Sequence, residues 1–154
     1  MTPFAIAGVQ MHVSALHDNI EAMQHRLDVL MARFPWTQMV LFSELAPYGP
    51  LPRYAQPFPN EAEAKFQAMA HQYGVWLLPG SMFEKAEDGR IYNTASVISP
   101  TGEVVTRYRK MFPFRPYEAE VAGAANSVSS MCRRSGVSVC RSAMISGSLR
   151  PPVN

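Results

Sequence analysis

Met39-Val40-Leu41-Phe42-Ser43-Glu44 is a run of four apolar residues that ends in a serine and a carboxylate. A short, almost wholly apolar run reads as a strand covered on both faces, and residues 38–43 are assigned to it. Upstream, residues 4–10 alternate apolar and small side chains and read as a first strand. Between the two, Ile20, Met23, Leu27, Leu30 and Met31 share one face of a helix that Asp18 or Asn19 can cap and Pro35 ends. Downstream, the proline-rich residues 45–59 read as a loop. Asn60 caps a second helix over residues 61–73, and Gly74 stops it. Residues 75–83 read as the next strand and Glu87-Asp88-Gly89-Arg90 as a turn before a strand over 92–99. Pro100-Thr101-Gly102 turns the chain again into a last strand over 103–109. The order β-α-β-α-β-β-β predicts an α/β fold, a mixed sheet with helices on at least one face.

Composition supports a folded body and sets a boundary to it. The chain has 154 residues, 47% hydrophobic and 17% charged, enough for one domain with a real core. A formal charge of +2 gives no footing for a nucleic-acid partner, and no apolar run is long enough to span a bilayer. With no basic-then-apolar leader at residue 1, the expected location is the cytoplasm. Two cysteines without metal-ligand company make neither a disulfide scaffold nor a zinc ribbon. All twelve acidic residues lie between Asp18 and Glu120, and every aromatic lies at or before Tyr117. Residues 121–154 hold no acid and no lysine but four arginines and eight serines, against five serines in the first 120 residues. A folded part over residues 3–120 and a disordered tail over 121–154 are therefore expected.

The chemistry-bearing residues sit at strand ends. Glu44 follows the buried run directly, where burial is expected to desolvate a carboxylate and suit it to base work. The plainer alternative is an acid that only caps the strand end. Lys110 ends the last strand and precedes Met111-Phe112-Pro113-Phe114, so it can place a fixed positive charge near a developing oxyanion. Its alternative is a solvated lysine in a basic stretch with Arg107 and Arg109. Glu118, in Arg115-Pro116-Tyr117-Glu118, is by itself an ordinary loop acid. The histidines His12, His17, His25 and His71 and the ten methionines read as packing and surface residues rather than ligands.

Taken together and in order, the first strand, Leu41-Phe42-Ser43-Glu44-Leu45, Tyr92-Asn93-Thr94-Ala95 and Tyr108-Arg109-Lys110 resemble the nitrilase superfamily of carbon–nitrogen hydrolases, its amidase-like branch in particular, over roughly residues 3–120. The resemblance implies an α-β-β-α sandwich, here truncated to its N-terminal part, and a Glu-Lys-Cys triad acting on an amide or nitrile through a thioester acyl-enzyme. It matches Glu44 to the general base, Lys110 to the oxyanion-stabilising lysine and Glu118 to a second, positioning glutamate. It implies no metal or organic cofactor, a small-molecule substrate and a homo-oligomer for intact members. A non-catalytic α/β module that binds a small molecule or a partner subunit is the other function class the body would suit.

The sequence departs from the family where the nucleophile belongs. Cys140, in Gly136-Val137-Ser138-Val139-Cys140, ends a strand-like run, but Arg141-Ser142-Ala143-Met144 follows instead of a Tyr-Asp pair, and Cys132 fits less well. Both cysteines read as incidental. A reading-frame shift near Gly123 accounts for the departure. Joining the third base of each codon to the first two of the next, Met144 before Ile145 must give aspartate. From the Arg141–Ser142 junction the shifted frame permits Ile-Cys-Tyr-Asp-Ile-Trp-Phe-Pro-Glu, a nucleophile motif of the family's kind. The expectation is an N-terminal fragment that is inactive as written.

Overall fold

The computed structural model describes residues 3–124. In chain order it contains β1 (Ile6–Val9), α1 (Ile20–Arg33), β2 (Met39–Phe42), a single 3-10 turn (Pro52–Tyr54), α2 (Glu61–Tyr73), β3 (Trp76–Leu78), β4 (Met82–Lys85), β5 (Ile91–Ile98) and β6 (Val104–Arg109). The six strands form one mixed sheet. β1, β2 and β3 run parallel, with Gly8 opposite Leu41 and Leu41 opposite Leu78. Thr94 pairs with both Met82 and Arg109, and Ile98 with both Leu77 and Val104. β3 and β4 therefore follow one another along one edge of β5, and β6 takes the other.

The single strand expected over residues 75–83 is two strands. Pro79, Gly80 and Ser81 interrupt it, and Gly80 takes a φ of +81°. A Cβ at Gly80 would lie 2.0 Å from the Ser43 carbonyl oxygen, so only glycine lets the chain pass this close to the end of β2.

Both helices cover one face of the sheet. Val40, Phe42, Leu77 and Ile98 meet Met23 and Leu27 of α1 and Phe66 and Met69 of α2 in one buried cluster. Phe66 is fully buried there, and truncating it to alanine should cost about 3–5 kcal/mol. The alternate residues Met39, Leu78 and Val97, with Leu41 and Trp76, form a smaller cluster on the opposite face. Period-2 alternation along β2 and β5 thus separates two environments.

The caps differ in how they work. Asn60 accepts from the Glu63 N–H and Gly74 closes α2 at φ +62°, both as expected. Asn19 occupies the N-cap position of α1, but its carboxamide is spent on Ser14 and on the Pro47 carbonyl. The Asp18 carboxylate accepts from the Ile20 N–H instead. Buried Asn19 thereby ties the helix start to the loop that follows Glu44.

Candidate active site

Glu44, Lys110 and Glu118, separated by up to 74 positions in sequence, meet in one cluster. β2 ends at Phe42, and Ser43 and Glu44 leave the sheet in a tight turn. Leu45 completes that turn with φ +57°, a conformation that costs a branched side chain on the order of 1 kcal/mol. The Leu45 N–H donates to the Ser81 hydroxyl at 3.1 Å, and Gly80 packs against Ser43. The β3–β4 break therefore supports the turn that aims Glu44.

The desolvated base expected at position 44 is not what forms. Because the chain has already left the strand, the Glu44 side chain is 54% exposed. The buried carboxylate is Glu118, at 8%. Its loop folds back on itself: the Glu118 N–H donates to the Phe114 carbonyl, and the Phe114 N–H donates to the Glu118 carboxylate. The Arg115 guanidinium donates to the carbonyls of Glu118, Ala119 and Val121, which fastens the loop's far end. Val121 then bridges to Ile91 at the start of β5.

Lys110 donates to Glu44 Oε1 at 2.7 Å and to Glu118 Oε2 at 2.8 Å. Burial disfavours its ammonium, yet the hydrogen bonds to Glu118 and Glu44 outweigh that, and its pKa is raised. Burial likewise acts to raise Glu118, but the donors Lys110, Phe114 N–H and Asn93 outweigh it and hold the carboxyl below its ordinary value. Asn93 was not singled out as a site residue from sequence. Its carboxamide donates to Glu44 Oε1 at 2.8 Å and to Glu118 Oε1 at 2.9 Å. A carboxamide in a strand that otherwise reads as apolar, aromatic and hydroxyl residues, all buried from Tyr92 to Ile98, is the available signal.

The solvated-lysine alternative fails on alternation. Arg107 and Arg109 point to the helix face, where Glu63 and Glu84 take them in two-pronged ion pairs. Lys110 lies on the other side with Asn93. Among the described residues no group of three or more potential ligands could hold a metal ion, and no helix is long and apolar enough to cross a membrane. Cys132 and Cys140 lie outside the described residues, as does the tail expected over 121–154 from residue 125 onward. Its first residues are described and are not a loose tail: Val121 bridges to Ile91, and the Ala122 and Ala124 N–H groups donate to the Ile91 and Lys110 carbonyls.

The fold is thus a mixed sheet with two helices on one face and a carboxylate–lysine cluster at its strand ends. Residues 5–146 match the family described as carbon-nitrogen hydrolase, and the chain belongs to that family. The match runs past the compositional boundary at residue 120. An omega-amidase of Homo sapiens is 30% identical over 119 residues, which cover 74% of this chain and 42% of the relative. A formamidase of Helicobacter acinonychis is 30% identical over 132 residues, covering 75% and 38%. A crystal structure from Saccharomyces cerevisiae, described as a member of branch 10 of the nitrilase superfamily, superposes with a TM-score of 0.70 at 20% identity. It covers 80% of this chain and 49% of that one, and shows the nitrilase fold over about half of that chain's length. The chain thus spans less than half the length of either curated relative.

Proposed function

We propose that residues 3–120 supply the acid–base half of an amidase site: Glu44 as general base, Lys110 as the cation for the oxyanion, and Glu118 as the carboxylate that positions Lys110. The observation that carries this reading is the pair of hydrogen bonds from Lys110 Nζ to Glu44 and Glu118. An ammonium has three N–H donors. Two are fixed by the carboxylates, and the third is left to meet a developing oxyanion.

The remaining steps follow from the chemistry of a cysteine nucleophile. A thiolate attacks the amide carbon, the C–S bond forms, and the carbonyl oxygen takes the negative charge beside Lys110. Glu44, protonated by the thiol, passes that proton to the amine as the C–N bond breaks, leaving a thioester. Glu44 then takes a proton from water, hydroxide adds to the thioester carbon, and collapse releases the acid and the thiolate. An unperturbed thiol titrates near ~8.5, so a base at hand is needed to make the nucleophile at neutral pH. The substrate is a small amide, with nitriles as the related class, since the same thiolate adds to either carbon.

The reading includes the missing nucleophile. Residues 121–154 are proposed to be translated out of frame, so the 154-residue chain is inactive. The family match reaching residue 146 stands against this, and the gene decides between them. Sequencing codons 120–150 should reveal a Cys-Tyr-Asp string in the shifted frame, and the restored full-length chain should hydrolyse simple amides. A shifted frame without that string, or a restored chain without amide turnover, would end the enzyme reading in favour of a binding module.

A further inference from the structure

Asn93 touches all three of these residues. Its backbone carbonyl accepts from the Lys110 N–H at 2.8 Å, and its carboxamide donates one N–H to Glu44 Oε1 and the other to Glu118 Oε1. The orientation of the carboxamide follows from its partners: two ionised carboxylates only accept, so the NH2 end must face them. The residue is 2% exposed and held within β5, the strand paired on both sides, so the side chain has little freedom to turn away.

The consequence falls on Glu44. Its Oε1 already accepts from Lys110 and from Asn93, while among the described residues nothing donates to Oε2. Among the described residues, Oε2 alone is left free to exchange a proton. Without Asn93, an exposed glutamate anchored at one point by a flexible lysine could turn either oxygen toward the lysine, or swing out to solvent. A neutral donor is also the right type. Two carboxylates and one ammonium already leave the cluster at −1, and a carboxamide ties the carboxylates together without altering that charge.

We infer that Asn93 is a positioning residue of the amidase site, which locks Glu44 Oε1 so that Oε2 alone serves as the proton-transfer atom. This rests on the reading of Glu44 as the base. The test uses the full-length protein with its nucleophile in frame and compares Glu44→Gln, Asn93→Asp and Asn93→Leu. Aspartate keeps the shape of asparagine but removes both donors and adds a third carboxylate. Asn93→Asp should lower kcat about 10²-fold, the scale of misplacing a catalytic group, with KM changed far less. The acid limb of its kcat/KM profile should move to higher pH, because losing donors favours protonated carboxyls. If the aspartate variant does not fold, Asn93→Leu gives the same loss of donors without the added charge. Carboxyl 13C titration of the leucine variant should then show Glu118 moved up from its wild-type position. A structural role alone would lower the melting temperature and leave the kcat/KM profile in place. Turnover by Glu44→Gln near the wild-type rate would overturn the site reading itself. A dead Glu44→Gln beside an Asn93→Asp and an Asn93→Leu of wild-type kcat and pH profile would overturn the inference about Asn93 alone.

Discussion

The two faces of this sheet hold the same kinds of charge and use them differently. On the helix face, Glu63 takes Arg107 through both oxygens and also accepts from the Ser96 hydroxyl, and Glu84 takes Arg109 and Thr94 in the same manner. Both carboxylates have each oxygen engaged, and the planar guanidinium fits them two-pronged. On the opposite face, Lys110 meets Glu44 and Glu118 at single points, and Glu44 keeps one oxygen without a donor among the described residues. A closed pair holds structure and has nothing left to give. A lysine with a spare N–H beside a carboxylate with a spare oxygen can move a proton and steady an anion. Arg107 and Arg109 of β6 and Lys110 just past its end put the two kinds of pair on opposite faces.

Substitutions can break the contrast, and the largest effect belongs to the open face. In a full-length chain with its nucleophile, Glu44→Gln should lower kcat/KM for an amide by about 10²–10⁴-fold and Lys110→Ala by about 10²–10³-fold. Circular dichroism and thermal melts of Glu44→Gln should stay close to wild type, since Glu44 is half exposed, whereas Lys110→Ala also takes the cation from buried Glu118 and should lower the melting temperature. Turnover near the wild-type rate in either variant would remove that residue from the mechanism.

The helix face should show the converse. Glu63 is 1% exposed, and Arg107→Met leaves its carboxylate buried without an ionic partner. The expected loss is about 3 kcal/mol, toward the lower end for broken buried pairs because the guanidinium is partly reached by water. Denaturant melts of the two chains measure it. A loss under a few tenths of that figure would show the pair to be dispensable.

A pH scan sharpens the comparison further. Burial acts to raise Glu84, and the hydrogen bonds from Arg109 and Thr94 outweigh it and leave the carboxyl lowered; Glu118 is lowered in the same sense. A lowered folded pKa contributes stability that is present in full above the ordinary glutamate value of about 4.3 and is lost as pH falls through the folded one. Arg109→Met takes away the larger of the two hydrogen-bonding contributions that lower Glu84 and leaves only Thr94, so the acid-unfolding midpoint should move to higher pH. A midpoint that stays in place would mean that the Arg109 pair contributes no acid resistance.

The smallest expected effect is at Cys140. As an incidental thiol it should react with an alkylating probe no faster than a free cysteine at neutral pH. A fast phase with a depressed apparent pKa would make it a nucleophile and weaken the frame-shift proposal.

Much of this was legible in the residues. Periodicity located both helices and most strands, because α1 and α2 bury one clean face each and β2 is apolar along its length. It missed the break at Gly80, since that break exists to let the chain pass Ser43, a contact remote in sequence. Resemblance matched Glu44, Lys110 and Glu118, and the fold brings all three together. Desolvation was expected of Glu44, which is half exposed, while Glu118, by itself an ordinary loop acid, is the covered one, because local hydrophobicity says nothing about a turn that leaves the sheet or a loop that folds over it. Asn93 lies in Tyr92-Asn93-Thr94-Ala95, but its local sequence shows no partner, since its contacts are with residues 49 and 25 positions away.

Placing Lys110→Ala beside Arg109→Ala tests the division between the two faces most directly, because the residues are adjacent in the chain and carry the same charge. Amide turnover per folded molecule should fall about 10²–10³-fold in the lysine variant. In the arginine variant it should remain within about threefold of wild type, with the loss appearing in the melting temperature instead. Equal losses of turnover in the two, or a lysine variant that is destabilised but still active, would contradict the account.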